Sequence, residues 1–75
     1  MNDARRIAFA RKIAEQKSKD LRRILQHGAT PDAMGFEGMT ADEAVRSEWR
    51  AWFEDTLDEL DKGETPEEIL RMARS

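Results

Sequence analysis

Cysteine and tyrosine are missing from this 75-residue sequence, histidine occurs once, and glycine and proline occur only four times and twice. Without cysteine there is no disulfide and no thiolate metal site to staple the fold, and His27 alone cannot build a His/Cys transition-metal centre within one chain. No cofactor or metal is expected. No stretch approaches the roughly 18 apolar residues of a membrane span. Behind Arg5 and Arg6 there is no continuous apolar run of the signal-peptide kind. The expectation is a cytoplasmic protein that does not engage membranes.

Catalytic chemistry is equally sparse. Ser18, Ser47 and Ser75 are the only serines, and none stands in a Gly-x-Ser-x-Gly elbow. Gly28, Gly35, Gly38 and Gly63 lack the Lys-Ser/Thr or strand-turn-helix setting of a phosphate loop. The carboxylates from Glu54 to Asp61 recur at one-turn spacing, which reads as a solvated helix face; an EF-hand needs a Gly-centred acidic loop instead. His27, near the end of a helical pattern, reads as a capping or exposed residue. These absences leave no basis for an enzyme.

What is present is amphipathic. Charged residues make up 39% of the chain and hydrophobic residues another 39%, a balance that suits helices rather than disorder. One small domain, residues 1–75, is the expectation. A domain this short has a thin core and gains from self-association or a partner. The net charge of −3 hides a division. Residues 1–27 hold eight Lys/Arg against three acids, a balance of +5, and the remainder holds five against thirteen, a balance of −8.

The spacing predicts a first helix over about 3–27, capped by Asn2 or Asp3 and stopped by Gly28, with Ile7, Ala10, Ile13, Ala14, Leu21, Ile24 and Leu25 on one face. Lys17 interrupts that face and must snorkel. Residues 28–39 form an apolar connector carrying Met34, Phe36 and Met39, with Thr30-Pro31-Asp32 opening a short helical turn. A second helix over about 41–61 begins with the capping box Thr40/Glu43, with Met39 placed to staple against Ala44. Its stripe is Val45, Trp49, Trp52, Phe53, Leu57 and Leu60. A second capping box, Thr65/Glu68 with Pro66 between, opens a short helix over about 66–73.

The fold class expected is all-α: an antiparallel hairpin of two long helices plus a short C-terminal helix, completed by homodimerisation into a bundle. The basic and acidic helices are expected to bring opposite charges together along their seam.

Two sets of residues are candidates for binding. Trp49, Trp52 and Phe53 concentrate aromatic area that is either core or contact surface, and Trp52 at the stripe's edge is the first candidate for a second chain. Met34 and Phe36 on a Gly-flanked loop either plug the hairpin's open end or offer an adaptable surface. Glu54, Asp55 and Asp58 would steer these anchors toward a basic surface. The expected function is a non-enzymatic regulator, adaptor or inhibitor that occupies a surface of a larger protein partner, acting as a homodimer. The alternative is a nucleic-acid-binding regulator: Arg5, Lys12, Lys19 and Arg23 line up at separations of 7, 7 and 4, a stripe able to track phosphates. Overall acidity and the lack of a recognition helix weigh against it.

Overall fold

The computed structural model describes residues 2–74. Three helices account for most of them and no strand is present among the described residues: α1 spans Asp3–Gln26, α2 Ala41–Asp61 and α3 Pro66–Arg74. A single 3-10 turn, Asp32–Met34, interrupts the connector between α1 and α2. The molecule is elongated, 39 × 20 × 16 Å, as expected where a 24-residue helix sets the long axis at about 1.5 Å per residue.

The helix ends follow from local chemistry. Asn2 caps α1, its side chain accepting from the Arg5 N–H at 2.9 Å. At the other end Gly28, at φ 109°, lets the Ala29 N–H reach back to the Ile24 carbonyl and its own N–H to Leu25. That pair of bonds is a Schellman motif, which only a left-handed residue permits without strain. Gly63, at φ 98°, closes α2 in the same way, with Glu64 donating to Glu59 and Gly63 to Leu60. The capping box at α2 is complete: Thr40 accepts from the Glu43 N–H at 3.2 Å and its N–H donates to the Glu43 carboxylate at 3.0 Å. Thr65 caps α3 by accepting from the Glu68 N–H at 3.2 Å.

Helices α1 and α2 run antiparallel, since Arg6 near the start of α1 pairs with Asp61 at the end of α2, and Arg22 near the end of α1 pairs with Asp42 at the start of α2. The ion pairs between the two helices therefore stand at the two ends of the seam. Among the described residues these are the only α1–α2 ion pairs; the other cations of α1 lie off the contact face, apart from Lys17, which is half-buried against α2. Helix α3 folds back against both longer helices.

The interior is narrow. Ala10, Ile13, Ala14, Leu21, Ala44, Val45 and Ile69 are buried, and three of these are alanines, so the long helices approach closely but enclose little apolar volume. Burial of Ile13 stabilises by about 2 kcal/mol. The buried part of the α1 stripe is shorter than its spacing suggests: Ile7 and Ile24, near the two ends of the helix, are exposed, at 42% and 43%. Two polar residues occupy the core that hydrophobicity alone would leave out. Ser18 satisfies itself by donating to the Glu15 carbonyl at 3.1 Å, whereas the buried Thr56 hydroxyl has no hydrogen-bond partner.

Candidate functional site

The connector is ordered by its own polar atoms. The Phe36 N–H donates to the Pro31 carbonyl at 2.8 Å, Thr30 Oγ1 accepts from Ala33, and Asp32 Oδ1 accepts from Gly38. This fold-back brings Phe36 and Leu25 against the buried cluster of Leu21, Ala44 and Val45. Phe36 thus plugs the loop end of the hairpin while staying half-buried. Met34 and Met39 remain exposed beside it, each at 39%.

All three aromatic residues of α2 are half-buried. Trp49 and Phe53, one turn apart, stack with ring centroids 4.9 Å apart and planes at 14°. Trp52 lies about 60° round the helix from Trp49 and about 100° from Phe53, on the adjoining side. Lys17 reaches across from α1 and sets its ammonium 4.8 Å from the Trp52 ring centroid, a cation–π contact that accounts for a lysine on the apolar face. Glu48, one turn before Trp52, completes this edge. Its carboxyl is pushed above the usual range by burial, against the opposing pull of the Lys17 charge and a hydrogen bond from Trp52.

Beyond Trp52 the α2–α3 junction opens a groove of about 210 Å³ lined by Trp52, Asp55, Thr56, Glu59, Ile69 and Met72. Its floor is largely apolar, and Asp55 and Glu59, one turn apart, stand at its rim. Neither makes an ion pair with a described residue. Glu54 and Asp58 fall on the outward face of α2, where Glu54 pairs with Arg50 at 3.6 Å. The acidic candidates therefore separate: Asp55 belongs to the groove, Glu54 and Asp58 do not.

A second carboxylate cluster lies at the start of α3. The Glu64 carboxyl is raised by a side-chain hydrogen bond and like charge from Glu68, with Glu59 adding to the repulsion. No group of three or more described His, Cys, Asp or Glu residues is arranged to hold a metal ion. Ser75 lies outside the described residues, and Ser47 is half-buried.

The basic residues Arg5, Lys12, Lys19 and Arg23 are all exposed along the face of α1 that turns away from α2. Arg23 pairs with Asp20 of its own helix at 3.7 Å; Arg5, Lys12 and Lys19 form no ion pair among the described residues.

Spacing alone does not single out Lys17, Glu48, Thr56, Glu59, Ile69 or Met72 as neighbours of Trp52. The one-turn intervals Glu48–Trp52–Thr56 and Asp55–Glu59 are visible in the sequence, but which flank of α2 receives α3 is not. No helix among the described residues is long and apolar enough to cross a membrane. Set against models of known protein families, curated proteins and solved structures, the chain matches none.

Proposed function

We propose that this chain is a non-enzymatic protein-binding module, a small regulator, adaptor or inhibitor that occupies a surface of a larger protein. One observation carries the reading: Trp49, Trp52 and Phe53 all keep part of their surface in water on a single helix, in a molecule whose own core is built largely from small side chains. Partly exposed tryptophans on a rigid helix are the side chains most able to anchor an interface. Phe36 and Met34 extend that surface, and Asp55 and Glu59 beside Trp52 favour a basic partner.

The same shortage of enclosed volume supports homodimerisation. The stacked Trp49–Phe53 pair and Trp52 lie on adjoining sides of α2, so one side serves a second copy and the other a partner. The reading is tested by affinity capture from the native host with the parent chain and the Trp52→Ala/Phe36→Ala variant. Loss of a specific partner is expected; a partner set that does not change removes the proposal.

A second reading has its own support. Arg5, Lys12 and Lys19 are exposed and without ion pairs among the described residues, which is the state of cations available to phosphates. A gel shift that weakens steeply with salt and disappears when Arg5, Lys12, Lys19 and Arg23 become Gln favours nucleic-acid binding; no shift at low salt eliminates it.

A further inference from the structure

We propose that the groove between α2 and α3 is the docking site for a cationic amphipathic segment of a partner protein, which seats an aliphatic or methionine side chain on Trp52 and Ile69 and brings Lys or Arg to Asp55 and Glu59. This rests on the protein-binding reading and names the chemistry of what is bound.

The groove has room for one or two side chains, about 210 Å³, over the indole of Trp52, the buried Ile69 and the half-exposed Met72. An apolar anchor there removes hydrophobic surface from water on both sides of the contact. The rim sets the sign of the partner. Asp55 and Glu59 are one helical turn apart and unpaired among the described residues, and Glu48 continues the same flank toward the N-terminus of α2. Carboxylates at this interval match cations one turn apart on a helical ligand. Lys17, the cation near this edge, is already committed to the Trp52 ring, and so leaves the rim acids without a partner.

A second copy of the chain fits this groove poorly. A symmetric contact centred on the groove would set Asp55 and Glu59 of one protomer against the same pair on its mate, and like charges in register repel. The acidic rim likewise repels phosphate, so nucleic acid is not its ligand.

The test uses the full chain and an 18-residue Leu/Lys amphipathic helical peptide as probe, with a counterpart in which every Lys is Glu. In a Trp49→Phe background Trp52 is the sole indole, and its emission reports on the groove. The Lys peptide is expected to bind, to shift Trp52 emission to the blue and to weaken as salt rises. Asp55→Lys/Glu59→Lys is expected to weaken binding at least tenfold. Glu54→Lys/Asp58→Lys makes the same charge change on the outward face and is expected to stay within threefold of the parent. Circular dichroism establishes that each variant folds, and Asp55→Asn/Glu59→Gln supplies a milder version should the reversal unfold the chain. Equal losses in the two reversals, equal binding of the Glu peptide, or no binding at low salt would overturn the proposal. So would a dimer in light scattering that the Asp55→Lys/Glu59→Lys change dissociates. Peptide binding that survives that change but falls with Trp49→Ala/Phe53→Ala removes the groove and leaves the protein-binding reading standing. A captured partner set indifferent to Trp52→Ala/Phe36→Ala removes both.

Discussion

Ionisation of Glu48 opposes folding. Burial raises its carboxyl pKa despite Lys17 and the Trp52 hydrogen bond. A raised folded-state value favours the protonated form, so its contribution to stability is present below the ordinary carboxylate pKa and is lost as pH rises through the folded one. Glu48→Gln keeps an acceptor for Trp52 and removes the charge. Thermal unfolding followed by circular dichroism should show a higher midpoint than the parent at about pH 7, and no difference at about pH 3, where the carboxyl is neutral. A lower midpoint at neutral pH would mean that attraction to Lys17 outweighs the cost of burial. Thr56 offers a comparable test in the core. Its hydroxyl is buried without a partner, so Thr56→Val, which keeps the shape and deletes the unpaired group, should raise stability in urea titration by about 1 kcal/mol. Thr56→Ser, which keeps the hydroxyl and removes the methyl, should lower it.

At the scale of elements, the helix boundaries rest on caps within a few residues of each end, and these were legible without tertiary information. Asn2, Thr40/Glu43, Gly28, Gly63 and Thr65/Pro66 each act on adjacent backbone. Thr40→Ala is accordingly expected to destabilise by about 1 kcal/mol, measured as a lower urea midpoint. The Glu43 carboxyl is held below the usual range by its bond from the Thr40 backbone N–H and a further one from the Thr40 side chain. A depressed value stabilises above the ordinary carboxylate pKa, and the effect is lost as pH falls through the folded value. Glu43→Ala should therefore lower the thermal midpoint most at neutral pH, with the difference shrinking in acid. The α1 stripe shows the limit of periodicity. Ile7 and Ile24 share a repeat with Ile13, yet only Ile13 is enclosed, because it stands in the middle of α1 while the other two stand near its ends, a difference of position along the axis that angular periodicity does not register.

For the whole molecule, the issue is how much apolar surface three helices leave in water. The alanines at the α1–α2 contact draw the helices together and displace aromatic bulk to the flanks of α2. With Trp49 and Phe53 stacked on one side and Trp52 beside α3 on the adjoining one, each side is available to a different neighbour. Light scattering on the parent is expected to give twice the chain mass, and Trp49→Ala/Phe53→Ala to give a monomer that keeps its helical circular dichroism. A parent that stays monomeric at high concentration would remove the second copy without bearing on the groove.

The sequence by itself determined the three helices, their limits, the charge of each and the aromatic content of α2, because caps, turn glycines and amphipathic period act over one or two turns of chain. Only the tertiary structure decided that Lys17 covers Trp52, that Phe36 closes the hairpin, that Thr56 is buried unpaired, and that Asp55 faces a groove while Glu54 and Asp58 face water. Those outcomes depend on the rotation of each helix about its axis and on the flank that α3 folds against. Both are set by packing between residues far apart in the chain, to which local periodicity is indifferent.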